Sequence, residues 1–348
     1  METELIRAVP LDARADADLA RAAKIIRDGG LVVFPTETVY GLGADATSAP
    51  AAAKIYAAKG RPSDNPLIIH VARPEDAARY TETNATYDAL ARAFMPGPLT
   101  VILRSKENIP KTTRGGLDTV AVRCPSHPVA HRLIELAGVP IAAPSANLSG
   151  SPSPTDVAHV IDDMRGRVDM IIDGGASEFG LESTIVKVED DGSLTLLRPG
   201  RITPEELSAV IPVVHIAGAV TEQLKDGEVA LSPGMKYRHY APKCPVFLLD
   251  GRPDAVAEYL KTREGRIAVI AYTEDIAPLR GACPDADFYD FGARADELAQ
   301  AHRLFYLLRE ADKKDYDAVY APLPPTDGVG LALYNRMIRA AAHQIVRL

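Results

Sequence analysis

The sequence predicts an α/β protein in two parts, an N-terminal twisted mixed sheet with helices packed on it and a smaller, Rossmann-like doubly wound domain. Three observations carry that expectation. Strand-like and helix-like segments alternate in both halves of the chain, which is the order that sheets covered by helices require. At 348 residues the chain exceeds one ordinary domain and fits two. A stretch of weak periodicity, residues 213–242, interrupts the alternation and contains the string SPGMKYRHYAP. The expected divisions are therefore 1–212, a linker at 213–242 and 243–348.

The elements follow from local chemistry. Residues 18–28 (DLARAAKIIRD) read as an amphipathic helix stopped by Gly29 and Gly30. A short apolar run at 31–34 reads as a strand, and PTETVYGLGAD after it as a turn-rich segment. Residues 50–59 form a helix with Pro50 first and Gly60 just past the end. Strands are expected at 66–71, 99–103, 120–123, 141–143, 170–172 and 184–188. Beyond residue 245 the expected order is strand VFLLD, helix AVAEYLKT, strand RIAVIAY, helix DELAQAHRLFYLLREAD, strand AVYAPL and helix LALYNRMIRAAAHQIV. Gly251 stands alone after the first of these strands, so the Gly-rich dinucleotide fingerprint is missing.

Composition narrows the function. Hydrophobic residues make up 47% and charged residues 25%, so a packed core is expected. With no Trp and 6% aromatics, that core must be built from Ala, Val, Ile and Leu. Cys124, Cys244 and Cys283 are odd in number and far apart, against a disulfide framework or structural zinc. The N-terminus lacks a basic-then-apolar leader and no apolar run approaches membrane length, which predicts a cytoplasmic protein without a membrane partner. A net charge of −8, with no basic excess in either half, disfavours general nucleic-acid binding. A nucleotide needs only a few well-placed cations, so a local basic pocket is compatible with that charge.

Walker A spacing is absent. In Lys59-Gly60-Arg61-Pro62-Ser63-Asp64-Asn65-Pro66, two cations straddle a helix end. They suit a helix dipole and a triphosphate clamp equally well. In PIAAPSANLSGSPSPT a strand enters a hydroxyl-rich turn, and Ser153, Pro154 and Asp156 read as N-cap, N1 proline and capping box of the next helix. Such a turn can be only a turn, or a bed for phosphate oxygens. His70 inside an apolar strand reads first as a satisfied core histidine. Arg123 ends VAVR, and Ser183 lies in GLEST.

Taken in order, PTETVYGLGADA, KGRPSDNPLIIHV, PGPLT, GGLDTVAVRCPSHP, PIAAPSANLSGSPSPT, GLESTIV and LRPG resemble the YrdC/Sua5 family of threonylcarbamoyl-adenylate synthases. SPGMKYRHYAP and the C-terminal α/β block resemble the longer, Sua5-type members. The resemblance implies a YrdC-like catalytic domain that uses L-threonine, bicarbonate or CO₂, and ATP with Mg²⁺, and no tightly bound cofactor or protein metal site. It implies hand-over of the adenylate to a separate tRNA threonylcarbamoyltransferase acting at adenosine 37, without stable tRNA binding. Lys59 and Arg61 would stabilise the leaving pyrophosphate, with Arg198 beside them. Asn65, Thr119, Ser145, Asn147 and Ser153 would hold phosphates and nucleoside. Thr38, His70, Arg123, Ser183 and the backbone of Ala143 would hold threonine, Arg123 facing the carboxylate. Tyr237, His239 and Tyr240 would close over the nucleotide as a lid that protects a labile carbamate. Rival readings are an RNA-binding module of the same fold, and a hydrogenase-maturation carbamoyltransferase, whose Cys-rich fingers and acylphosphatase module this chain lacks.

Overall fold

A computed structural model describes residues 2–222 and 240–348. The chain separates into two compact units, Met1–Ser149 with Ser153–Lys236, and Gly150–Pro152 with Tyr237–Leu348. Much of the expected linker, residues 223–239, lies outside the described residues.

The first unit is organised on an 11-stranded mixed sheet. Its strands are β1 (Glu4–Arg7), β2 (Val32–Phe34), β3 (Gly41–Asp45), β4 (Ile68–His70), β5 (Leu99–Arg104), β6 (Thr119–Arg123), β7 (Ile141–Ala142), β8 (Met170–Asp173), β9 (Thr184–Val188), β10 (Leu194–Arg198) and β11 (Val214–Ile216). They lie in the order β1-β8-β2-β3-β7-β4-β6-β5-β9-β10-β11. The helices are α1 (Ala13–Arg27), α2 (Ala49–Lys59), α3 (Ala85–Phe94), α4 (Pro128–Ala137), α5 (Val157–Met164) and α6 (Pro204–Ser208). Leu19, Ala22, Ala23 and Ile26 of α1 and Val129, Ala130, Leu133 and Ile134 of α4 share one core cluster with Val32, Phe34, Met170 and Ile172. Alanines at these positions let backbones approach closely, which compensates for the shortage of aromatic volume.

The second unit is a 5-stranded sheet in the order β14-β13-β15-β12-β16, every pair parallel. Its strands are β12 (Val246–Asp250), β13 (Ile267–Ala271), β14 (Asp287–Asp290), β15 (Ala318–Pro322) and β16 (Ile345–Arg347). Its helices are α7 (Pro253–Lys261), α8 (Thr273–Ala282), α9 (Glu297–Asp312) and α10 (Gly330–Ala340). The doubly wound expectation is met.

Four local expectations are corrected. Helix α1 starts at Ala13, because Asp12 accepts hydrogen bonds from the amides of Arg14 and Ala15. The turn-rich segment after Phe34 contains β3, whose strand form comes from partners on both sides. Asp156, not Ser153, caps α5 by accepting from the Ala158 amide, while Ser153 donates to Glu182 Oε1 at 2.5 Å. The final helix stops at Ala340. Ala342 and His343 take φ of 47° and 62°, a left-handed pair that breaks the helix and releases β16. Helix α8 and strand β14 were not in the expected series; α8 carries Pro278 internally.

Candidate active site

Two remote segments zip together to make the floor of the site. The amide of Leu42 donates to Pro144 O at 2.9 Å, and that of Tyr40 to Pro154 O at 3.0 Å. In return the Ala146 amide donates to Tyr40 O at 2.8 Å. This pairing lays the hydroxyl-rich turn after β7 against the start of β3. Gly43 makes the neighbourhood possible: a methyl there would lie 2.7 Å from Phe34 Cε1 and 2.8 Å from Ile141 Cγ2.

Lys59 locks the turn from above. Gly60 takes φ of 62° and ends α2, and the buried Lys59 side chain runs into the turn instead of capping its own helix. Its Nζ donates to Ser145 O at 2.6 Å, Asn147 O at 2.5 Å and Asn147 Oδ1 at 3.3 Å. The amide of Ser149 donates back to Lys59 O at 2.9 Å. Ser145 Oγ donates to Asn147 Oδ1 at 2.6 Å, and Asn147 Nδ2 to Leu148 O at 2.8 Å. Of the two readings left open for Lys59, the dipole cap therefore loses: the ammonium organises a loop 86 residues away.

Arg61 reaches the next turn. Its Nε and Nη2 donate to Asn65 O at 3.3 Å, and Nη2 to Pro66 O at 3.1 Å. Asn65 Oδ1 is buried with no hydrogen-bond partner among the described residues, a polar atom such as a site keeps for a ligand. Arg198 and Ser183, expected on ATP and threonine respectively, are neighbours: Arg198 Nε donates to Ser183 O at 3.0 Å and Nη2 to Ser183 Oγ at 3.1 Å. Ser183 Oγ also lies 2.7 Å from Thr100 Oγ1. Thr119 opens β6 and, among the described residues, makes no direct side-chain hydrogen bond to the other predicted ones.

Thr38, His70 and Arg123, all predicted for threonine, form a second group: Arg123 bonds to Thr38 and lies beside His70 across β6 and β4. Thr36 Oγ1 donates to Val39 O at 2.6 Å, so at its 2.8 Å contact with Thr38 Oγ1 the Thr38 hydroxyl is the donor. Arg123 Nη1 donates to Thr38 Oγ1 at 2.9 Å. What Thr38 has left is a lone pair. His70 is buried, with Nδ1 3.2 Å from Ile141 O. A carbonyl only accepts, so the proton sits on Nδ1 and Nε2 is an acceptor. Burial, and then the Arg123 charge, lower the His70 pKa to about 3. That removes His70 as a general base near neutral pH. The Ala143 amide is spent on Ile68 O at 2.9 Å, which leaves its carbonyl as the backbone group a ligand could address.

Sequence reasoning missed Thr36, Thr100, Glu182 and above all Glu37, whose carboxylate lies 2.7 Å from Arg123 Nη2 with both side chains buried. A carboxylate flanked by threonines in an otherwise apolar stretch was the available signal. Cys124 is inert by environment: burial pushes its thiol up to about 12, and Sγ donates to Ala72 O at 3.3 Å. Of the three lid residues, Tyr237 and His239 lie outside the described residues. Tyr240 belongs to the second unit, where its buried ring stacks on Phe305 at 5.1 Å between centroids.

Fold and site together define a class: α/β proteins that join a YrdC-like mixed sheet, with its lysine-locked hydroxyl turn, to a doubly wound parallel sheet in the same chain. The family model described as "Telomere recombination" (Sua5, YciO, YrdC) matches residues 24–200, and that described as "Threonylcarbamoyl-AMP synthase, C-terminal domain" matches residues 202–342. The chain is 43% identical to the threonylcarbamoyl-AMP synthase of Bacillus subtilis over 340 residues, 95% of each chain. It is likewise 43% identical to that of Pyrococcus abyssi, over 94% of this chain and 95% of the relative. The crystal structure of P. abyssi Sua5 complexed with L-threonine superposes with a TM-score of 0.88 at 39% identity, covering 100% of both chains. The chain belongs to the threonylcarbamoyl-AMP synthase family, in its two-domain Sua5 form.

Proposed function

We propose that this protein is an L-threonylcarbamoyladenylate synthase, a nucleotidyltransferase that converts L-threonine, bicarbonate or CO₂, and ATP into threonylcarbamoyl-AMP and pyrophosphate. The observation that carries the reading is the Lys59 ammonium bound into the Ser145–Asn147 turn, beside a pocket edge of directed acceptors on Thr38 and His70. The P. abyssi relative, whose structure holds L-threonine, supports the amino-acid half of the assignment.

The chemistry divides between the two groups. Threonine's amine, once deprotonated, adds to CO₂ and becomes a carbamate. Thr38 Oγ1 and His70 Nε2, both acceptors, suit the hydrogens on threonine's amine and hydroxyl, and Arg123 its carboxylate. A carbamate oxygen then attacks the α-phosphorus of ATP, the bond to the β-phosphate oxygen breaks, and pyrophosphate leaves. Lys59 and Arg61 place fixed positive charge where that leaving group gains negative charge, and cations already in position stabilise it without reorganisation. Asn65, Ser145, Asn147, Thr119 and Ser153 offer neutral hydrogen bonds to phosphates and nucleoside, and Arg198 adds charge beside Ser183. Mg²⁺ belongs here to the ATP substrate. The phosphate oxygens of ATP would be its principal ligands. The adenylate is a mixed anhydride, and its consumer would be a separate transferase acting on tRNA. Among the described residues no helix is long and apolar enough to cross a membrane.

Pyrophosphate release from ATP tests the reading. It should require both threonine and bicarbonate, and omission of either should abolish it. Release at the full rate without threonine would sink the assignment.

A further inference from the structure

Glu37 has no task in the reading above, yet it occupies a costly position. Its side chain is 2% exposed and that of its ion-pair partner Arg123 is 5% exposed, with Oε1 and Nη2 2.7 Å apart. Both Glu37 oxygens are sealed from solvent, and the groups that bear on the carboxylate are the Arg123 guanidinium and the backbone amides of Glu37 and Ser126. Its carboxyl is held below the ordinary range: burial pushes it up, but the Arg123 charge and hydrogen bond, with the amides of Glu37 and Ser126, together outweigh burial. A carboxylate held ionised in this way is a poor proton acceptor, which removes a base role.

What Glu37 can do is act on Arg123. The guanidinium is held on three sides: Nη2 by Glu37, Nη1 through its hydrogen bond to Thr38 Oγ1 at 2.9 Å, and Nε toward Gly97 O at 3.5 Å. The last contact is long, so the Glu37 ion pair and the Thr38 hydrogen bond are the two restraints that fix the guanidinium. The chain of contacts continues from Arg123 to Thr38 and from Thr38 to Thr36, whose proton is fixed on Val39 O. Turning the guanidinium would free the Thr38 hydroxyl to rotate and offer a ligand either polarity. Glu37 also neutralises Arg123 before any ligand is present. A zwitterionic amino acid then meets a wall of no net charge, where directed hydrogen bonds decide recognition.

We propose that Glu37 is a positioning residue for threonine: the buried counter-ion that fixes the Arg123 guanidinium and, through it, the acceptor face of Thr38. This rests on the threonine pocket assigned above. Removing its charge leaves Arg123 buried, uncompensated and free to turn.

The test is calorimetric titration of threonine, and separately of ATP, into wild-type protein, Glu37→Gln, Arg123→Gln and the double variant. Glu37→Gln should weaken threonine binding about tenfold or more and leave ATP binding within about twofold. Because Glu37 works through Arg123, the double variant should bind threonine within about twofold of Arg123→Gln alone. The double variant removes both buried charges, so this comparison holds even if Glu37→Gln does not fold. Unchanged threonine affinity in Glu37→Gln, equal losses for both ligands, or losses that multiply in the double variant would each overturn the positioning role. Wild-type protein that binds no threonine would instead overturn the pocket assignment itself.

Discussion

Replacing Lys59 by Met keeps the unbranched chain as far as Cε and deletes the ammonium with its charge and donors. Ser145 O and Asn147 O lose this donor, while Asn147 Oδ1 loses the ammonium but keeps the Ser145 hydroxyl. The two close carbonyl contacts, at 2.6 and 2.5 Å, set the scale. Leaving a buried acceptor unpaired costs about 1–3 kcal/mol, so the two together cost about 2–6 kcal/mol. A lysine that merely capped the helix dipole would be worth about 0.3–1 kcal/mol, so the two readings differ measurably. For a unit of this size about 2 kcal/mol corresponds to a melting shift of about 4–8 °C. Pyrophosphate release should fall about a hundredfold or more, the usual cost of losing one fixed charge-stabilising donor in a site. Thermal melting and the pyrophosphate assay read the two effects separately. A melting point within about 2 °C of wild type, together with turnover within about threefold, would refute the lock.

Gly43→Ala should destabilise by about 1–3 kcal/mol, read in a denaturant titration, because its methyl meets Phe34 and Ile141 below van der Waals distance. His70 has a folded pKa near 3, below its ordinary 6.5, so between those values the unfolded chain binds the extra proton. Stability should therefore fall on acidification below about pH 6.5, by up to about 1.4 kcal/mol per pH unit, and His70→Gln should flatten that slope. Equal slopes in both proteins would count against the assignment. Valine in place of threonine should turn over about 10⁴-fold less efficiently, since the pocket's acceptors would face a methyl group. Cys124→Ser should keep activity within about twofold, since the hydroxyl can replace the thiol at Ala72 O and no step uses a nucleophile there.

Where the signal is local, the sequence was readable. Pro50 and Gly60 bound α2 as their backbone preferences demand, the glycine adopting the left-handed conformation that ends a helix. The weave of β12, β13 and β15 with α7, α9 and α10 follows from apolar runs separated by amphipathic ones. Where the signal is remote, it was not. GLGAD has few strand-forming residues, and β3 exists because β2 and β7 take it as a partner. Ser153 and Asp156 are both good caps by local rule, and the choice fell to Glu182, 29 residues further on, which claims the Ser153 hydroxyl. Helix α8 carries a proline within it, and the strand after α10 follows a backbone reversal with no glycine to announce it. In the site, the turn chemistry drew attention to Lys59, Arg61, Ser145 and Asn147, while their grouping came from family resemblance. Glu37 escaped both routes, because its partner is remote in the chain and its oxygens face inward.

The zip between Tyr40–Leu42 and the 144–154 turn has a kinetic corollary. Contacts such as Thr38 to Arg123 and Lys59 to Ser145 span 85 and 86 residues, so neither group can form from a short peptide neighbourhood. Closing a loop of that length is an entropic cost met before any contact stabilises it, and assembly should be slow for the size of the unit. A partly synthesised or clipped chain ending before residue 144 would carry Lys59 without the turn that its ammonium binds. Binding competence should accordingly switch on only after the segment beyond β7 has emerged and docked, which makes nucleotide binding a sensitive reporter of complete refolding.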